Sequence, residues 1–167
     1  MAPTSMTLDD LLERTVALSF DDLDCPDAPV RDYLADLLLR FVRTDDLFPR
    51  GRTRSRLETI GDVLAEIESC WTIGSPAFAP EREVALRRHL GDSALLSAGF
   101  FWERLRSSGT RRHHVRIGTW AYRFLAEHER ARRGSQEAVF TLLAERFELY
   151  AGILTYLREI YLYSEGG

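Results

Sequence analysis

The sequence predicts an all-α protein, a single domain built as a bundle of about six helices. Three observations predict it. Apolar residues recur at spacings of three and four along most of the chain. Clusters of breakers separate those runs, at 21–29 (DDLDCPDAP), 44–55 (TDDLFPRGRTRS), 73–80 (IGSPAFAP), 107–111 (SSGTR) and Gly134. No stretch alternates with period two, so there is nothing from which to build a sheet.

The first helix is expected over about 7–20, with Thr7 as N-cap and Asp10 three residues on, a start like a capping box. The second, about 29–43, opens on Pro29, a residue suited to a first turn, and carries the stripe Val30, Leu34, Leu37, Leu38, Phe41. The third, about 55–72, aligns Leu57, Ile60, Leu64, Ile67 and Trp71. The fourth, about 80–106, is apolar around most of its circumference, which marks a buried central helix. Its narrow polar face carries Arg88, Asp92, Gly99 and Glu103, with His89 at the edge. The fifth, about 112–133, stops before Gly134, read as the C′ glycine. The sixth, about 135–162, starts on Ser135 as N-cap and has a seam of Val139, Leu143, Arg146, Tyr150, Ile153, Leu157 and Ile160. The domain is expected to fill 1–167, with 1–6 and 164–167 as frayed ends.

Composition narrows the class. A chain of 167 residues buries roughly 70% of its unfolded surface and needs no disulfide or metal staple. Cys25 and Cys70 belong to no metal-type pair, and no cofactor or metal is expected. The start, MAPTSMTLDDLLERT, lacks the basic and apolar regions of a signal peptide. The longest uncharged apolar run, Ser93–Trp102, falls well short of the about 20 residues that span a bilayer. A soluble cytoplasmic protein with no membrane partner is therefore expected. All 22 basic residues are arginine, which we read as a genome bias. Charge is uneven: residues 1–49 hold 4 arginines against 11 carboxylates, and residues 50–133 hold 16 against 10. An acidic end and a basic middle are positioned to pair, within the fold or between subunits. The net charge of −4 disfavours nucleic acid as a partner.

Candidate functional residues are few. The run Arg50, Arg52, Arg54, Arg56 is the densest basic patch and the one place where an anion or a nucleic acid would be gripped; it has no interleaved aromatics, and a solvated loop is the favoured reading. His114 and His128 share one face of the fifth helix but lie 14 residues apart, roughly 21 Å, too far for one metal. The histidines are expected at the core boundary, hydrogen-bonded. Arg146 interrupts an apolar seam and needs a partner, for which Asp92, Glu103 and Glu66 are candidates. Gly91, Gly99, Gly118 and Gly152 lie within helices, pointing to close helix contacts or room for a ligand. His89, Asp92, Gly99, Glu103 and Arg146 form the candidate ligand set. No nucleophile elbow, phosphate loop or catalytic pair is present in the sequence.

Two resemblances attach to these residues. Arg88-His-Leu-Gly-Asp-Ser93 resembles the distal-helix motif of haem oxygenases, which are also all-α. That resemblance implies Gly91 against a haem and Asp92 ordering its distal water. Leu95 stands where that family has a second glycine, and no histidine precedes His89 to serve as axial ligand. The longer pattern HLGDSALLSAGFFWERL, followed by Gly118 to Tyr122 as Gly-x-x-Ala-Tyr, resembles an uncharacterised family of bacterial helical proteins over about residues 30–160. The resulting expectation is a non-enzymatic bundle acting through protein contacts or self-association, suggested by the uneven charge and by Tyr150, Tyr156, Tyr161 and Tyr163. The alternatives are a small-ligand or cofactor-binding bundle and a nucleic-acid-associated regulator.

Overall fold

The computed structural model describes residues 7–47, 80–105 and 108–162. They form α1 (Leu8–Asp22), α2 (Ala28–Leu47), α3 (Pro80–Ala98), α4 (Ser108–Ala131), α5 (Glu137–Glu145) and α6 (Phe147–Leu157). A 3-10 turn spans Trp102–Arg104 and a π turn spans Arg158–Leu162. The fold is all-α, packed helix on helix, with no strand among the described residues. The expected helix over 55–72, the Arg50–Arg56 run, Glu66 and Cys70 lie outside the described residues.

α1 begins as its sequence dictates. The Thr7 hydroxyl oxygen accepts the Asp10 backbone N–H at 3.1 Å, meeting one of the donors that a helix start leaves without a partner. The helix ends where Asp24 takes a left-handed conformation (φ 53°) and the Cys25 N–H reaches back to the Phe20 carbonyl at 2.8 Å. α1 and α2 then pack as a hairpin through Leu12, Val16 and Phe20 on one side and Val30, Leu34, Leu37 and Leu38 on the other. α3 packs on α4 and α6, and α4 on α5 and α6. Ala94–Gly99 is buried without interruption, as a central helix requires.

α2 runs on to Leu47, past the expected end at 43, and α4 starts at Ser108, inside the expected breaker at 107–111. Three further boundaries change the path of the chain. The fourth predicted helix does not run to 106. α3 stops at Ala98, and the chain turns through Gly99–Phe101 before Trp102 emerges half-exposed. The C′ position after α4 is Arg133 (φ 55°), not Gly134. Gly134 is the next residue; its N–H bonds the Glu129 carbonyl at 2.7 Å, and a Cβ there would lie 2.0 Å from Glu129 Oε2. That carboxylate also accepts the Gln136 N–H at 3.0 Å and Arg132 Nε at 2.8 Å, so it holds the whole α4–α5 turn. The long sixth helix is in fact two, and Gln136 rather than Ser135 stands at the first cap. The backbone leaves helical dihedrals at Arg146 (φ −122°, ψ 33°), which lets α5 follow α4 while α6 packs against α1 and α3.

Glycines set the helix spacing. A Cβ on Gly118 would sit 2.3 Å from the Phe147 ring, and one on Gly99 would sit 2.6 Å from the Ala151 carbonyl oxygen. Gly152 has nothing within 4 Å. Gly118→Ala is therefore expected to destabilise the protein by about 1–3 kcal/mol through overpacking. Gly152→Ala is expected to leave stability unchanged or raise it by up to about 1 kcal/mol. Urea unfolding of the two variants checks both signs.

Candidate functional site

The sequence candidate with the most developed surroundings is Asp92. It lies on the face of α3 turned toward α2 and α4, and is 6% exposed. Its Oδ1 accepts two tyrosine hydroxyls, Tyr33 from α2 and Tyr122 from α4, each at 2.7 Å. Its Oδ2 faces Arg40 Nη2 of α2 at 3.6 Å. Arg88, one turn before Asp92 on α3, lies over the Tyr33 ring at 5.4 Å instead of forming a surface ion pair with Asp92.

The local sequence explains the arrangement. Tyr33 sits three residues after Val30 on the buried stripe of α2, so its ring enters the core and its hydroxyl must find a partner there. Gly91 makes room for Tyr122: a Cβ at Gly91 would lie 2.9 Å from the Tyr122 ring. Phe140 of α5 closes the cluster, stacked on Tyr122 with centroids 6.1 Å apart and edge-on to Tyr33 at 5.7 Å.

Burial pushes the Asp92 carboxyl above the usual carboxylate range, against the Tyr122 and Tyr33 hydrogen bonds and the charges of Arg40 and Arg88. Burial and the neighbouring carboxylate likewise push both tyrosine hydroxyls well up, so they remain donors at any physiological pH. The cluster is an enclosed acceptor with its donors already in place. It reaches solvent along the Arg40 side chain, which is 43% exposed.

The other candidates do not join it. His89 is exposed on the outer side of α3. Gly99 and Glu103 belong to the α3–α6 junction, where Thr155 Oγ1 donates to the Gly99 carbonyl at 2.7 Å and Glu103 pairs with Arg158 at 3.0 Å. Arg146 runs to the surface and pairs with Asp27 of the α1–α2 turn at 3.3 Å, so the seam carries no buried arginine charge. Neither Asp92 nor Glu103 is its partner, and Glu66 lies outside the described residues. His114 is buried, with Nδ1 2.9 Å from the Thr110 carbonyl, and His128 stacks on Phe124. Among the described residues no three metal-ligating side chains converge.

Sequence reasoning missed the tyrosines' role. Tyr150 donates to Asp27 at 2.6 Å, and Tyr156 (at 2.8 Å) and Tyr161 both donate to Asp22. These hydroxyls bond within the chain; they were expected to mark an outer interface. The Tyr150 bond holds the Asp27 carboxyl below its usual range despite partial burial, and Tyr161 and Tyr156 do the same for Asp22. The available signal was the run of aspartates at 21–27, which needed donors that a lysine-free N-terminal segment does not supply.

The haem-oxygenase resemblance fails a direct test of fit. The face of Gly91 where a macrocycle would lie is filled by the Tyr122 ring, and the Asp92 oxygens are engaged by Tyr33, Tyr122 and Arg40. These residues do not fit a haem. In comparisons with protein-family models, curated proteins and solved structures, nothing matches this chain.

The electrostatics fix a sign. Asp92 holds its proton in the folded state to a higher pH than in the unfolded chain, so its contribution to stability is greatest below the unfolded value of 3.8 and declines as pH rises through the folded value. Asp27 and Asp22 act oppositely: their contribution is present above 3.8 and is lost as pH falls through their depressed values. Asp92→Asn is therefore expected to lose stability relative to the native protein progressively as pH is lowered toward 4, measured by urea unfolding of both across the pH range. Asp92→Ala strands two buried hydroxyls and is expected to cost about 3 kcal/mol at pH 7.

Proposed function

We propose that this protein is a non-enzymatic cytoplasmic bundle that works through protein–protein contact, with association between its own copies foremost. One observation carries the reading. The outward face of α4 presents Arg112, Arg116 and Arg123, all exposed, and among the described residues no carboxylate pairs with them. Trp120 stands among them, 41% exposed. Other arginines are matched, among them Arg40 with Asp36, Arg130 with Glu137 and Arg158 with Glu103. Unmatched arginines around an exposed tryptophan have the composition of a contact surface.

The Asp92 cluster supports the same reading from the other side. The Asp92 carboxylate and the two tyrosine hydroxyls satisfy one another, so they resemble a structural core element more than a reaction centre. No described helix is long and apolar enough to cross a membrane, which fits a partner met in water. The nucleic-acid alternative rested on Arg50–Arg56, outside the described residues.

Sedimentation velocity over a wide concentration series tests the proposal. A sedimentation coefficient that rises with concentration at low salt is expected. A strict monomer at the highest concentration would end the self-association reading.

A further inference from the structure

We infer that the self-association rests on one heterologous contact: the α4 face of one copy docks on the α1 face of the next. This deepens the preceding proposal and depends on it.

The occupant of the α4 face is chosen by charge and spacing. The solvent side of α1 carries Asp10, Glu13 and Asp21, all exposed, with no ion-pair partner among the described residues. Arg14 is the one opposing charge on that side. α1 packs on α2 and α6, while α4 packs on α3, α5 and α6, and among the described residues no ion pair joins the two faces within a chain.

The two rows match in length and order. Arg112 to Arg123 and Asp10 to Asp21 each span eleven residues, about 16.5 Å along a helix. Between the charges, each row has an apolar feature. On α4 it is Trp120, its ring held against the Arg87 guanidinium at 4.1 Å. On α1 it is an open groove of about 460 Å³, shared with the start of α2 and lined by Ala17, Leu18, Phe20 and Pro26 together with Asp21, Arg14 and Arg31, the last of which pairs with Asp32. Trp120 lies four residues from Arg116 and three from Arg123; Ala17 lies four from Glu13 and four from Asp21. An indole entering the groove brings each arginine of the row near a carboxylate.

The contact joins different surfaces, so it leaves each copy with one free donor face and one free acceptor face. Such contacts build open chains unless the rotation closes a ring. Exposed charges give it steering and salt sensitivity, and screening at 1 M salt, where the Debye length is about 3 Å, should remove most of it.

Charge exchange on the full-length protein tests this. One variant carries Arg116→Glu and Arg123→Glu; the other carries Glu13→Arg and Asp21→Arg. All four positions are exposed, and circular dichroism confirms that each variant folds. Each variant alone is expected to associate at least tenfold more weakly than the native protein. An equimolar mixture should regain association, because both contacts are then complementary again. Ala17→Gln, which narrows the groove, should weaken association several-fold without changing the melting temperature. Undiminished association in both charge variants would overturn the inference while leaving self-association standing, and would move the contact elsewhere. A native protein that never associates would overturn both. Low-salt retention on duplex DNA that is lost in Arg116→Glu/Arg123→Glu, with self-association untouched, would assign the α4 face to nucleic acid and overturn the inference.

Discussion

A buried carboxylate constrains the rest of this bundle. Asp92 cannot sit at 6% exposure without donors, and the donors come from α2 and α4. Three helices distant in sequence are thereby held in one relative position. Apolar packing alone permits sliding by a turn; two hydroxyls 2.7 Å from one oxygen do not. Gly91 follows from this, since any side chain there would lift Tyr122 off α3. So does the placement of Phe140, which covers both tyrosine rings.

The same chemistry recurs at the periphery. Every tyrosine among the described residues donates to an aspartate: Tyr33 and Tyr122 to Asp92, Tyr150 to Asp27, Tyr156 and Tyr161 to Asp22. Asp22 lies at the C-terminal end of α1, where the helix dipole disfavours a negative charge. Two hydroxyls from the chain's C-terminal segment compensate it and fasten that segment to α1. The acidity of the N-terminal third is therefore partly internal glue. What is left over on the outer side of α1, namely Asp10, Glu13 and Asp21, is the part available to a partner.

Helix identity was legible because burial imposes the three-and-four rhythm on every element. Thr7 was legible as a cap because its hydroxyl has a local partner three residues on. The breaks were harder. Arg146 continues the seam in sequence, and only the competition between α4 and the α1–α3 pair for the two halves of that seam forces an interruption. Gly134 was assigned to the wrong position of a correctly located turn, because its smallness serves the Glu129 carboxylate and not a left-handed backbone. Asp92 was singled out by a motif, but its partners Tyr33 and Tyr122 lie 59 and 30 residues away, and no local spacing reports them. Glu103 shares the polar face of Asp92 in sequence and Arg146 needs a partner in its apolar seam, but their long side chains pair with Arg158 and Asp27 instead.

The central claim is that Asp92 and its two tyrosines act as one unit. A double-mutant cycle measures that directly: Tyr33→Phe and Tyr122→Phe, each in the native and the Asp92→Asn background, with unfolding free energies from urea titration at pH 7. If the account holds, each tyrosine substitution costs about 1–2 kcal/mol in the native background and much less once the carboxylate is replaced, a coupling of about 1 kcal/mol or more for each pair. Strict additivity, with the same tyrosine cost in both backgrounds, would contradict it.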